Sequence, residues 1–203
     1  MPKERLVYTL SGQPPGRATL QVLRRLKYLY LAYFSKPAGD RSVYRTIGKL
    51  RAQKILEIGV GQGQRALRMM QVAGMFSPIE QIRYTGIDLF EGRPENSPGL
   101  SLKQAHCQFK ATGARIQVVP GDPYSALART ANSLQELDLV LIAADQDAQS
   151  LERAWFYMPR MLAAHTVVLQ EGVDAKTGQA IWQRVERSLI DQKATPVRQR
   201  RAA

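Results

Sequence analysis

From Lys54 onward, the apolar positions of the chain alternate between two periods. Short runs dense in Ile, Val and Leu (KILEIG, IRYTGID, RIQVVPGD, LDLVLIAAD, HTVVLQEG) each give way to a longer segment (RALRMMQVAG, LSLKQAHCQFKATG, YSALARTAN, SLERAWFYMPRML, TGQAIWQRVERSLI). The short runs have the length and composition of buried strands, and the longer segments carry the three-to-four-residue spacing of amphipathic helices. Five strand-then-helix units in a row predict an α/β domain, a parallel sheet covered by helices on both faces. Pro78, Gly99, Gly113 and Pro159 stand where turns belong.

Ahead of these units, residues 17–34 place Leu20, Leu23, Leu26 and Tyr30 on one helical face, and RSVYRTIGKL fits a second, shorter helix. Lys36 to Asp40 break the two, with Asp40 as the expected N-cap. The apolar face is expected to pack on the core. The same basic, amphipathic pattern also suits a helix lying on a membrane surface or against a partner. The chain therefore divides into an N-terminal helical extension, residues 1–48, serving as lid or interface, and a core, residues 49–203.

Composition narrows the classes. At 203 residues and 22.7 kDa the chain has room for one domain and an appendage. No apolar run approaches the roughly 20 residues of a membrane-spanning helix, and MPKERLVYTLSGQPPGR lacks a secretory apolar core. A cytoplasmic protein without a membrane partner is expected. Cys107 is the sole cysteine, which excludes an intrachain disulfide and, with no other thiol beside it, argues against a cysteine-based zinc site. The net charge of +12 gathers at Arg24, Arg25 and Lys27, between Arg41 and Lys54, and in the tail VRQRRAA. It fits either an anionic partner or a solvated basic surface. Nucleic acid is one such partner, but no RNA-binding module is present and the basic residues are not interleaved with aromatics.

The chemistry starts at KILEIGVGQGQR, where a strand runs into glycines spaced G-x-G-x-G and then into a helix. Glycines permit positive φ and close approach of the backbone to a ligand. A dinucleotide fingerprint would need glycine at Gln64, and no Lys-Ser or Lys-Thr follows the turn to bind a nucleoside triphosphate. What is left is E-x-G-x-G-x-G, with Glu57 at the strand end. This pattern resembles the class I S-adenosylmethionine-dependent methyltransferases, and the resemblance continues in register from about residue 40 to 172. It implies a Rossmann-like sheet with five core strands in the order 3-2-1-4-5. In that family the turn corresponding to Gly59, Gly61 and Gly63 wraps the methionine moiety, and the acid at Glu57 helps place its amino group. The resemblance also implies a ribose-binding role for Asp88, with Leu89 beside it, at the end of IRYTGIDLF. In VVPGDP, Gly121, Asp122 and Pro123 would border the adenine. From the residues alone, an Asp after a strand more often closes a turn or caps a helix, but the place of Asp88 after the glycine turn favours the ligand role, whereas Asp122 could equally cap a Pro-initiated helix.

The order of elements and the LDLVLIAAD run look most like the metal-dependent O-methyltransferase branch, whose ion sits between the fourth and fifth strand ends. The chain departs from that pattern. Ala143 stands in place of the first ligand and Glu171-Gly172 in place of an Asp-Asn pair, leaving Asp145, Asp147, Glu171 and Asp174 as displaced carboxylates. No metal is therefore expected, and Asp147 and Asp174 are read as helix caps. His106 and His165, the only histidines, fall away from the expected pocket, so Asp145 is the candidate catalytic residue. The expected activity is metal-independent methyl transfer from S-adenosylmethionine to a small-molecule acceptor. An RNA or ribonucleoprotein methyltransferase and a non-catalytic cofactor-binding scaffold are the alternatives. The family's C-terminal strand pair is expected to be reduced or absent, because only a helix-like segment follows TVVLQEG. An open fifth-strand edge would then be covered by RLVYTL or by a second copy in a homo-oligomer.

Overall fold

The computed structural model describes residues 17–95, 97–175 and 177–195. Two helices, α1 (Arg17–Tyr33) and α2 (Asp40–Leu50), precede alternating units: β1 (Lys54–Ile58), α3 (Gln64–Phe76), β2 (Arg83–Asp88), α4 (Leu102–Lys110), β3 (Arg115–Pro120), α5 (Pro123–Thr130), β4 (Leu137–Ile142) and α6 (Ala148–Ala154). A 3-10 turn over Trp155–Met161 leads to β5 (Leu162–Val173), β6 (Ala180–Val185) and α7 (Arg187–Ala194). The strands form one sheet in the order β3-β2-β1-β4-β5-β6, parallel except for β6, which runs antiparallel to β5.

Alternate side chains of the central strands feed two cores. Ile55, Tyr84, Leu139 and Leu141 meet Met69, Met70 and Phe109 on one face, while Leu56, Ile87, Val140 and Ile142 meet Leu127, Trp155 and Met158 on the other. Period 2 along each strand divides these residues between the faces, and burial on both sides explains why β1 and β4 read as continuous apolar runs. The polar exception in β4, Asp138, accepts from the backbone N–H of Gln53 at 2.7 Å and of Lys54 at 2.8 Å and ties the start of β1. Val43, Tyr44 and Ile47 of α2 belong to the first core.

Three expectations are corrected. AIWQRV, read within a helix-like segment, is β6, so the C-terminal antiparallel pair of β5 and β6 is present. β5 is therefore not an open edge, and the reason for expecting an oligomer there falls away. Trp182 accounts for the strand: it is buried, and its Nε1 donates to Asp40 Oδ1 at 3.2 Å, anchoring β6 beneath the start of α2. RLVYTL, the other proposed cover, lies outside the described residues.

The second correction concerns Asp40. It is the first residue of α2 rather than a cap, and its carboxylate turns inward to Trp182 and Arg65. The third concerns α1, where Leu23, Leu26 and Tyr30 are exposed. Tyr28, Leu31 and Ala32, on the opposite side, make the contact with the core: Tyr28 packs edge-on against Phe76, and Leu31 and Ala32 are buried. Among the described residues, no helix is long and apolar enough to cross a membrane.

Candidate active site

At the end of β1 the chain passes through Gly59, Gly61 and Gly63 with φ of +93°, +59° and +75°. Glycine, lacking a Cβ, takes up these angles at no steric cost. The three differ in what a side chain would meet. A Cβ on Gly59 would come within 2.6 Å of Ala143 Cβ and Gln146 Nε2, and one on Gly63 within 2.6 Å of Leu100. One on Gly61 would meet nothing within 4 Å. Gly61 faces a cleft of about 380 Å³ between the turn, the ends of β4 and β5, and the start of α2, with Arg65, Asp145 and Glu171 among its walls.

Glu57 is fully buried at the base of this turn. One oxygen accepts from Arg65 Nε at 2.6 Å, and the other accepts from the Tyr84 hydroxyl. Burial pushes the Glu57 carboxyl upward in pKa, while Arg65 and the Tyr84 hydrogen bond pull it back without cancelling that rise. Arg65 is the hub. Its Nη2 donates to Gly59 O at 2.8 Å, its Nη1 lies 4.0 Å from both Asp40 Oδ1 and Glu171 Oε2, and its guanidinium stacks 4.8 Å over the Trp182 ring. Burial disfavours its charge, but Glu57, Asp40 and Glu171 outweigh that and raise its pKa. Glu57, Asp40 and Glu171 set three carboxyl groups against the single cation of Arg65, so the cluster offers surplus anionic groups beside one cation.

Asp88 ends β2 next to the turn. Its Oδ2 accepts from the Gly61 N–H at 2.8 Å and pairs with Arg93, while Leu89 follows it, partly exposed. Arg93 also donates to Leu100 O at 3.2 Å and so fastens the segment after β2 over the glycine turn. Asp122, in contrast, is the N-cap of α5. Oδ1 accepts from Tyr124 N at 3.1 Å and Ser125 N at 3.2 Å, and the hydroxyls of Ser125 and Ser150 also donate to the carboxylate. Burial alone would raise its pKa, but these bonds to the charged form hold it at about 2. Gly121, at φ +136°, precedes it, and Pro123 opens the helix.

Beyond β4, Ala143 is buried against Gly59, and Asp145 is exposed on the cleft wall, accepting from Gln146 Nε2 at 2.8 Å. Glu171 accepts from Ala144 N at 3.2 Å and joins the ends of β4 and β5. Asp147 caps α6 through Ser150 N at 2.7 Å. Asp174 does not cap a helix: it sits in the β5–β6 turn, accepting from the Thr177 hydroxyl at 2.7 Å. Among the described residues, no three His, Cys, Asp or Glu side chains gather as metal ligands. His165 bonds Asp138 at 2.8 Å at the opposite end of the sheet, and His106 is exposed on α4.

Gly59, Gly61, Gly63 and Asp145 thus line one cleft, Glu57 is buried beneath the turn and Asp88 holds the Gly61 N–H from β2, while Asp122 is engaged with its own helix. Arg65, Arg93, Asp40 and Trp182 are site residues that sequence reasoning missed. A usable signal existed for Arg65: a cation in the first turn of the helix that follows a buried strand-end acid and a glycine turn.

The fold has counterparts among solved structures. The O-methyltransferase from Bacillus cereus in complex with S-adenosylhomocysteine aligns at a TM-score of 0.50 with 19% identity, over 77% of this chain and 67% of that one. The fold is that of a class I methyltransferase. The O-methyltransferase TomG from Streptomyces achromogenes, crystallised with S-adenosylmethionine, aligns at 0.49 and 14% identity over 73% and 64% of the two chains. A putative caffeoyl-CoA O-methyltransferase from Staphylococcus aureus aligns at 0.48 and 18% over 75% and 65%. The chain spans about two thirds of the length of these methyltransferase structures. No protein-family model matches it, and no curated protein does.

Proposed function

We propose that the chain binds S-adenosylmethionine in the cleft at the glycine turn and transfers its methyl group, without a metal, to a small-molecule acceptor. The observation that carries this is Gly61: a positive-φ glycine whose missing side chain would project into open cleft space, beside a cation flanked by surplus carboxylates. A zwitterionic amino acid matches that charge pattern. Arg65 would hold the carboxylate of the methionine moiety, and Asp40 and Glu171 its ammonium. Glu57 then works by fixing Arg65. Asp88 and Leu89 would take the ribose, with Arg93 displaced from the carboxylate. Gly121, Asp122 and Pro123 would border the adenine, Asp122 through Oδ2, because its Oδ1 already accepts from Tyr124 N, Ser125 N and the Ser150 hydroxyl.

When bound, the cofactor supplies an electrophilic methyl group on a sulfonium. The protein's share is to bring an acceptor oxygen or nitrogen in line with it, which lowers the barrier chiefly through orientation. Asp145, on the cleft wall beside the turn, would take up the acceptor's proton. A second reading, a non-catalytic binding protein, has its own support: Arg65 already occupies Glu57 and Gly59 O, and Arg93 already occupies Asp88. Calorimetry with S-adenosylhomocysteine tests the cofactor assignment. Micromolar binding by the wild type, lost in Gly61→Val, is expected. Equal affinities for the two proteins, or no binding by the wild type, would refute it.

A further inference from the structure

The outward face of α1 is not used by the cleft. Val22, Leu26, Leu29, Tyr30 and Tyr33 recur at the spacing of one helical face, and each is between 46% and 59% exposed. Tyr28, Leu31 and Ala32, which hold the helix to α2 and α3, lie on the opposite side, so the orientation of the apolar stripe is set by packing. At 100° per residue, Arg25 and Lys27 fall one on each flank of the stripe. Arg24 lines the groove between α1 and α3 with Met75. The whole of α1 contains no acidic residue.

We propose that this face docks on an anionic lipid surface, with α1 lying in the plane of the interface and Val22, Leu26, Leu29, Tyr30 and Tyr33 entering it. An apolar stripe bordered by cationic side chains is the pattern of interfacial helices: the stripe sits at the boundary of headgroups and chains, and the basic flanks meet anionic headgroups. Tyrosines suit that depth because one end is apolar and the other wet.

Two other occupants fit less well. A helix of 17 residues is about 25 Å long and 10 Å wide, a footprint of roughly 250 Å², against the roughly 800 Å² per partner of a stable dimer. A second copy would also bring the same basic flanks and another net charge of +12 to the contact. Single-stranded RNA would match the charge but would leave the aliphatic Val22, Leu26 and Leu29 without a role, since bases stack on rings.

The proposal is independent of the cofactor assignment and is tested without it. Full-length protein is floated with vesicles of phosphatidylcholine alone and with vesicles containing about one third phosphatidylserine. Flotation with the anionic vesicles only is expected. Leu26→Glu should reduce partition at least about tenfold, and Arg25→Gln with Lys27→Gln by roughly fivefold per charge removed. All of these positions are exposed, and circular dichroism checks that each variant remains folded. Absence of flotation with anionic vesicles overturns the proposal. So does flotation that Leu26→Glu leaves unchanged, which would reduce the contact to charge alone. A dimer in sedimentation that Leu26→Glu dissociates, without vesicle binding, would assign the face to a second copy. Micromolar binding of a homopolymeric RNA, without vesicle binding, would assign it to nucleic acid.

Discussion

Arg65→Met removes the cation at the hub of the site while keeping an unbranched side chain over Trp182. It leaves Glu57, fully buried, with the Tyr84 hydroxyl as its remaining donor, and strips Gly59 O of a hydrogen bond. Removing one partner of a buried ion pair costs about 3–5 kcal/mol, mostly the uncompensated charge that stays behind. For a domain of this size each kcal/mol shifts the midpoint by about 2–4 °C, so a fall of roughly 6–20 °C in Tm is expected. The cost should depend on pH. With Arg65 gone, the folded-state pKa of Glu57 rises further above its unfolded value of about 4.3. A raised carboxyl loses stability as pH increases from the unfolded value through the folded one, so the deficit of Arg65→Met against wild type should be larger at pH 8 than at pH 5. Glu57→Gln placed on Arg65→Met removes the orphaned charge, and the double variant should recover at least half of the loss. Thermal and urea unfolding followed by circular dichroism, at both pH values, measure all of this. If Arg65→Met melts within about 2 °C of wild type at pH 8, or if the double variant is no more stable than Arg65→Met, the assignment of the pair as a coupled buried unit is wrong.

Arg93 holds the carboxylate that the ribose would need, so Arg93→Ala should tighten S-adenosylhomocysteine binding severalfold in calorimetry. A weakened affinity would instead place Arg93 among the ligand's own contacts. Asp122→Ala should cost about 1–2 kcal/mol in urea unfolding, the value of a helix cap, and an unchanged midpoint would show that the cap contributes nothing. The folded pKa of Asp122, about 2, lies below its unfolded value. Its contribution is therefore present above about pH 4 and lost as pH falls toward 2, and the difference between wild type and Asp122→Ala should shrink over that window. Methyl transfer to any acceptor found should survive a chelator. Turnover abolished by chelation and restored by magnesium would mean that Asp145 and Glu171 complete a metal site after all.

Local pattern determined most of the sheet and the course of its first turn. Five apolar runs and the helical partners of the first four could be read without the fold, because a strand buried on both faces cannot avoid being continuously apolar and a covering helix cannot avoid its 3.6-residue stripe. The glycine turn was equally legible: freedom to take the positive φ seen at Gly59, Gly61 and Gly63 is a property of glycine itself. The tertiary structure decided what depends on distant neighbours. AIWQRV carries no strong strand signal; it is a strand because Trp182 meets Asp40 and Arg65 from α2 and α3 and because β5 offers it an edge. Arg65 became the hub through Asp40, Glu57 and Glu171, which lie on three separate elements. The capping role of Asp122 is visible only in the fold, where two backbone N–H groups of α5 and the Ser150 hydroxyl from another helix meet its carboxylate. On α1, periodicity defined an apolar stripe but not the side on which the domain lies. Tyr28, Leu31 and Ala32 took the inner side, and packing, which no single segment encodes, turned the larger apolar face outward.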